Sequence, residues 1–515
     1  MTTTFPIGKT ALLIRFGDRI DADLARDIAR LATTLSMPGV VELIPSYTTL
    51  LIEFDPSLVN QDEIIAQAEK IWLSRSNSAP GDRRTIEIPV VYGGAHGPDL
   101  GLVSRRSGLP PAETIRRHSE AEYVVGAVGF SPGFGYLIGL PPELATPRLK
   151  TPRLRVPVGS VAIGGAQTAV YPVETAGGWN LIGRTTMAMF DPGRDDPFLL
   201  RSGDLVRFRP VESGRFLRPI HTPVTRQRIG GIEVLKPGLL TSVQDLGRRG
   251  FGAFGLSPNG TADTTSLILG NRLVGNPDNA AGLEITLVGP TIRFRQGVKF
   301  AMTGEGPAAR LNGRPIERNR TIAAYLGDEL TFDPIDPASG ARGYLCFAGG
   351  IDVPVVMGSR STDLVAGIGG LAGRALRSGD VIPVGEAKGL VSTLALPPLP
   401  RDRKVLRITP GPQRHMFDDA TWRRLTEREF TVTNDANRVG IRMQGPSLHP
   451  RDRSDIVSEG VVTGSIQVPG SGQPIVLLPG RATIGGYPKI ATVIESDLDL
   501  LGQLRPGDAI RFRPA

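Results

Sequence analysis

Four carboxylates stand beside glycine or apolar residues, Asp245, Glu284, Glu459 and Asp497, and each is a candidate for a base or a divalent-cation ligand as well as for a structural ion pair. Cationic groups recur in Gly-rich surroundings. Gly358-Ser359-Arg360-Ser361-Thr362, followed by Gly367-Ile368-Gly369-Gly370, combines hydroxyls, a guanidinium and flexible backbone N–H groups, the parts of an anion cradle or of a tight turn. Gly183-Arg184-Thr185 and Gly485-Gly486-Tyr487-Pro488-Lys489 add two more cations. The five histidines (His96, His118, His221, His415, His449) share no metal-ligand spacing and Cys346 is alone, so zinc sites and histidine-based triads are disfavoured. Gly129-Phe130-Ser131-Pro132-Gly133 matches the hydrolase elbow G-x-S-x-G. Pro132, however, has no N–H to give to an oxyanion. Gly250-Phe251-Gly252-Ala253-Phe254-Gly255 matches G-x-G-x-x-G but follows a loop and reads as a turn, and no Walker A sequence is present.

The elements that must carry these residues are mostly strands. Residues 1–80 read as a β-α-β-β-α unit: a strand over Thr10 to Phe16, a helix carrying Leu24, Ile28, Leu31 and Leu35, two strands around a Pro-Ser-Tyr turn, and a helix starting at Asn60 with Glu63 placed for a capping box. From residue 85 short strands and Gly/Pro punctuation take over, with helices predicted only at Pro110 to Glu120 and Thr264 to Val274. Pro/Arg-rich stretches at 212–228 and 392–404 read as linkers, leaving units at 85–211, 229–391 and 405–515.

Self-comparison shows why these units are related. Gly159-Ser160-Val161, Gln167, Gly177-Gly178-Trp179, Ile182 and Gly203-Asp204 recur in order as Gly464-Ser465-Ile466, Gln473, Gly485-Gly486-Tyr487, Ile490 and Gly507-Asp508. A weaker middle copy runs from Gly349-Gly350-Ile351 to Gly379-Asp380. The fold class expected is mainly β with an α+β N-terminal domain and three small barrels in tandem. On this alignment Arg184 and Lys489 occupy comparable places, converging on a ligand or capping a barrel mouth.

Composition sets the outer limits. The chain has 515 residues, 40% hydrophobic and 21% charged, with one cysteine, which excludes a disulfide scaffold and suits a reducing cytoplasm. Its apolar runs are strand-sized, so no membrane span is expected. The formal charge of +8 is scattered without a basic-aromatic groove, which points to anionic small molecules rather than nucleic acid.

The longer motifs carry a resemblance. Gly129-Phe130-Ser131-Pro132-Gly133-Phe134-Gly135-Tyr136-Leu137, Thr151-Pro152-Arg153 and Gly177-Gly178-Trp179 resemble the B-type subunit of bacterial 5-oxoprolinase, the Kip inhibitor family. Pro237 to Arg248, Asn271 to Asn276, Gly358 to Thr362, Ile466-Gln467-Val468-Pro469 and Gly485-Gly486-Tyr487-Pro488 resemble the C-type subunit, the Kip antagonist family. The resemblance implies a B–C fusion joined at 212–228, with cyclophilin-like barrels, one in the B part and two in the C part, related to the carboxyltransferase region of urea carboxylase. It further implies ATP-dependent opening of the 5-oxoproline lactam to glutamate, with Mg²⁺, a separate A-type subunit of 5-oxoprolinase and self-association of the fused unit. A urea carboxylase component and a kinase-regulating binding protein are the competing readings.

On motif position and residue chemistry, Glu459, Asp245 and Lys489 are the expected catalytic groups. Arg153, Arg184, Arg360, Ser361, Thr362 and Gln467 are the expected phosphate- or substrate-binding groups, and Tyr136, Trp179 and Tyr487 the expected walls, in a cleft between the B-type and C-type barrels. Glu459 and Asp245 are metal-or-base candidates, and no residue is singled out as a dedicated metal ligand. Two segments depart from the resembled pattern: Ser257-Pro258-Asn259-Gly260-Thr261, and Gly480-Arg481-Ala482.

Overall fold

Alternation in the first strands sends side chains to two different partners. In the computed structural model, which describes residues 2–75, 84–216, 230–390, 404–452 and 454–515, the strands Thr3–Ile7, Ala11–Arg15, Thr49–Phe54 and Val40–Ser46 form an antiparallel sheet in that order. Leu12, Ile14, Leu50 and Ile52 face the helices Ala22–Thr34 and Gln61–Ser74. Ala11, Leu13 and Leu51 face the other way, onto Ala127 of the next unit and Val462 and Ile484 of the last. The second helix opens with the expected capping box: Asn60 accepts from the Glu63 N–H at 3.0 Å, and Glu63 accepts from the Asn60 N–H at 3.2 Å. The strand Thr3–Ile7 and the helices Leu100–Ser107, Asp419–Glu427 and Leu498–Gln503 have no counterpart among the expected elements; all are short, and the last three span at most nine residues.

Two units close into seven-stranded barrels. In the first, Leu205–Pro210 lies between Tyr123–Val128 and Thr85–Tyr92, pairing parallel with the latter from Leu205 opposite Thr85 to Pro210 opposite Val90. The last barrel repeats this, with Ala509–Pro514 parallel to Val405–Pro410. The repeated Gly-Asp turns lead into these closing strands, and Val206, Phe208, Ile510 and Phe512 all point into their cores. Such burial contributes about 1.5–3 kcal/mol per large side chain, which is why the shared ending persists as a pattern.

The middle unit departs from that plan. A six-stranded and a five-stranded sheet enclose one core, including Val234, Val243, Leu283, Ile292, Phe300 and Leu345. Its final strand, Val381–Ile382, pairs antiparallel with Ile232–Lys236. The weakness of the middle repeat in the sequence thus has a topological counterpart. The stretches 217–229 and 391–403, which hold most of both expected linkers, lie outside the described residues.

The halves on either side of residues 217–229 are locked together at many points. Ser46 donates to the Ser458 carbonyl at 2.6 Å, the Gly133 N–H donates to the Phe254 carbonyl at 2.8 Å, and Phe198 stacks on Phe254 with ring centroids 4.6 Å apart. Glu284, fully buried, holds the middle unit to the last barrel through Arg438 and also accepts from Tyr344 at 2.9 Å. Among the described residues, no helix is long and apolar enough to cross a membrane.

Candidate functional site

The short ribbon Glu459–Gly460 pairs with Ile484–Gly485, placing Glu459 opposite Gly485 at the rim of the last barrel. Gly485 is followed closely by the strand Lys489–Val493, whose register sets Lys489 opposite Gln467. Three of the expected residues therefore meet. Lys489 Nζ lies 2.6 Å from Glu459 Oε1, and Gln413 Nε2 donates to the same oxygen at 2.7 Å. Gln413 also accepts from the Lys489 backbone N–H at 3.1 Å, which fixes the amide's orientation. Lys489 is 0% exposed and Glu459 3%. Burial holds the ammonium below the usual lysine range, and the Glu459 carboxylate opposes that shift.

The pair is completed from the other end of the chain. Arg15, in the strand Ala11–Arg15 of the N-terminal sheet, places its guanidinium 3.6 Å from Glu459 Oε2 and lies over the Phe5 ring. Gln467, buried beside this group, has an amide Nε2 with no hydrogen-bond partner among the described residues. A Cβ on residue 485 would stand 2.4 Å from that nitrogen, so the glycine leaves the amide its space. Tyr487 is 41% exposed two residues further on. Arg15 and Gln413 lie in no motif, and only the fold reveals them.

Tyr136 and Trp179 sit in an adjoining aromatic cluster with Phe134 and Tyr171 at the first barrel, their ring centroids 5.8 Å apart. Arg148 lies over Trp179, and Tyr47, in the turn between two strands of the N-terminal sheet, accepts from Gln167 at 2.7 Å. Tyr136 also packs on the cluster containing Ile484, so this aromatic wall is continuous with the Glu459 ribbon.

The remaining expected residues lie in separate settings. Asp245 accepts from the hydroxyls of Ser359 and Ser361, from the Gly247 N–H at 2.8 Å and from the Arg360 N–H at 2.6 Å. Thr362 donates to the Val243 carbonyl, and the Arg360 guanidinium is bound to the Val353 carbonyl and Asp352. The Gly358–Thr362 loop is thus wrapped around Asp245, with its hydroxyls turned inward. Arg153 pairs with Asp99 at 2.8 Å. Arg184 donates to the Val158 carbonyl and lies over Phe216. Hydrogen-bond register also separates Arg184 from Lys489: Arg184 is opposite Ser160, whereas the equivalent Ser465 is opposite Thr492. The two cations therefore stand at opposite ends of equivalent strands, because the shared Ile182/Ile490 anchor places Lys489 earlier in its strand.

Two other motifs resolve structurally. The Gly250 and Gly252 N–H groups both donate to Glu42, tying that turn to the N-terminal sheet. Ser131 Oγ is buried without a hydrogen-bond partner, so no base activates it among the described residues.

The same organisation is found in known proteins. Residues 254–514 match the model for carboxyltransferase domain, subdomain A and B, and residues 2–200 that for carboxyltransferase domain, subdomain C and D. The chain belongs to the carboxyltransferase-domain family. Within that family it is 41% identical over 282 residues to the C-type subunit of 5-oxoprolinase from Escherichia coli (strain K12), covering 55% of this chain and 90% of the relative. It is 47% identical over 210 residues to the B-type subunit of 5-oxoprolinase from Escherichia coli O157:H7, covering 40% and 95%. Urea amidolyase of Lachancea kluyveri is 34% identical over 311 residues, 55% of this chain but 17% of that protein. The crystal structure of TTHA0988 is 36% identical and superposes with a TM-score of 0.86 over 98% of this chain and 99% of that one. The carboxyltransferase-domain chain is accordingly a fusion of B-like and C-like parts, and Glu459, Lys489 and Gln413 come from the C-like part while Arg15 comes from the B-like part.

Proposed function

We propose that this chain is the fused B and C component of an ATP-dependent 5-oxoprolinase, opening the 5-oxoproline lactam to glutamate together with a separate A-type subunit. The observation that carries the reading is the composite Glu459–Lys489 pair, which Arg15 from the B-like half joins at 3.6 Å and which is walled by residues of both. The relatives named as B-type and C-type subunits of 5-oxoprolinase support the substrate assignment.

A lactam is a weak electrophile, and its hydrolysis needs charge stabilisation at the carbonyl oxygen and a base for water. Lys489 supplies an ammonium and Gln467 an unpaired amide N–H, both suited to an oxygen that gains negative charge. Glu459, held by Gln413, Lys489 and Arg15, is the group that can accept a proton from water. Tyr136 and Trp179 exclude bulk water from the approach on the first barrel.

ATP with Mg²⁺ belongs to this proposal through the relationship to the 5-oxoprolinase components. The Gly358–Thr362 loop does not fit a nucleotide: the Ser359 and Ser361 hydroxyls donate to Asp245, that of Thr362 donates to the Val243 carbonyl, and the Arg360 guanidinium is engaged. Among the described residues, no group of three or more His, Cys, Asp or Glu could hold a metal ion. No step on the phosphates is therefore assigned to these residues. A cytoplasmic location and self-association complete the proposal. The test is glutamate release from 5-oxoproline with ATP, using this chain mixed with the A-type subunit; turnover in the mixture and none from either protein alone is expected.

A further inference from the structure

A cavity of about 410 Å³ opens where the N-terminal sheet, residues 246–264 and the last barrel meet. Its lining brings together the two segments whose sequences depart from the resembled pattern. Asn259 and Ser257 both donate to the Pro479 carbonyl, at 3.1 and 2.7 Å, which joins those segments directly. Asn259 holds a left-handed φ of +48°, a conformation that asparagine tolerates better than most residues.

The polar groups in this lining are incompletely used. Arg481 is 2% exposed; its Nη2 donates to Glu53 Oε1 at 3.0 Å, but Nε and Nη1 have no partner among the described residues. Among the described residues, Nδ2 of Asn259, a residue 7% exposed, is unpaired, and the hydroxyls of Thr483 and Thr492, 0% and 4% exposed, are unpaired too. Buried donors left unsatisfied cost about 1–3 kcal/mol each, so several around one cavity point to an acceptor that enters it. The same lining holds acceptors with capacity to spare. Glu53 receives its bond on one oxygen only, and Glu42 receives two backbone N–H bonds where a carboxylate can take about four.

The charge balance narrows the ligand. Lys9, Arg249 and Arg481 line the cavity against Glu42, Glu53, Asp55, Glu495 and Asp499, an acidic excess that disfavours a simple anion. Arg481 and Asn259 match a carboxylate, while Glu42 and Glu53 match an ammonium. We propose that this cavity is a binding site for a small zwitterion of the α-amino-acid type, its carboxylate on Arg481 and Asn259 and its ammonium on Glu53 and Glu42. The site is distinct from the Glu459–Lys489 pair and does not depend on the lactam reading, since binding requires neither ATP nor the A-type subunit.

The test is calorimetric titration of the full chain with the common L-amino acids, followed for the tightest by its des-amino and des-carboxy analogues and its amide. One-to-one binding of an amino acid, weakened about tenfold or more when either charged group is missing, is expected. Asn259→Gly keeps the left-handed backbone and removes the amide, and should weaken binding about tenfold with the thermal midpoint little changed. Arg481→Gln should abolish binding; the glycine variant keeps the test decisive if that substitution disturbs the fold. Absence of binding by every amino acid, equal binding of the des-amino or des-carboxy analogue, or unaltered affinity in Asn259→Gly would each overturn the assignment.

Discussion

Lys489 is a fully buried ammonium, and it persists there because Glu459 and Gln413 occupy its surroundings. Removing either charge alone leaves the other buried and unpaired, so Glu459→Gln and Lys489→Met should each lower stability by about 3–5 kcal/mol. The double variant Glu459→Gln/Lys489→Met should recover much of that loss in denaturant titration. Turnover should not recover: all three variants should lose about 10²-fold or more in kcat. A fully active double variant would make the pair structural only. Cys346 gives an independent check of burial at this scale. Its thiol is pushed up to about 12 by its apolar surroundings, so it should resist thiol-directed reagents at pH 8 until the protein unfolds; rapid labelling of the folded chain would show that the core around Leu267 opens.

At the scale of elements, much of the N-terminal unit was legible because its information is local. The Asn60–Glu63 box and the apolar spacing of Ile28 and Leu31 specify helices without reference to distant residues. The parallel pairing of Leu205–Pro210 with Thr85–Tyr92 was not legible, since it joins residues some 120 apart in sequence and no local signal marks the partner. Asp245 shows the same limit in the site: its neighbours in sequence suggested a base, whereas hydroxyls from residues 359 and 361 make it the centre of a loop clamp. His118 offers a measurable property of the first barrel. Its ring lies between Tyr92 Oη at 2.8 Å and Thr168 Oγ1 at 2.9 Å, stacked near Phe208, and burial lowers its pKa to about 3. The unfolded chain binds a proton near pH 6.5 that the folded one refuses, so stability is full above that value and falls as pH drops toward 3. The slope should approach 1.4 kcal/mol per pH unit, about 5 kcal/mol in total. Between pH 6.5 and 5, before most carboxylates titrate, His118→Gln should flatten the decline in stability; an unchanged slope would place the acid sensitivity elsewhere.

At the scale of the whole molecule, the fusion matters because the two halves share buried surfaces and one polar site. Gly255 sits at that junction with φ +76°, and a Cβ there would lie 2.6 Å from the Ser131 carbonyl and 3.0 Å from Gly129 Cα. Gly255→Ala should therefore weaken docking of the halves, costing about 1–3 kcal/mol and lowering the thermal midpoint. If a protease site is inserted between residues 217 and 229 and cut, the halves should still elute together, and the alanine variant should separate more readily on size exclusion. Independent elution of the cut wild-type halves would contradict a composite site.

The most direct measurement of the central claim is ATP-dependent glutamate release from 5-oxoproline by the purified chain mixed with the A-type subunit, run beside the Glu459→Gln/Lys489→Met variant, whose stability separates folding from chemistry. Turnover by the wild-type mixture and none by the variant mixture is the predicted result. Absence of turnover with a competent A-type subunit, or equal turnover by the variant, would contradict the assignment of lactam opening to this pair.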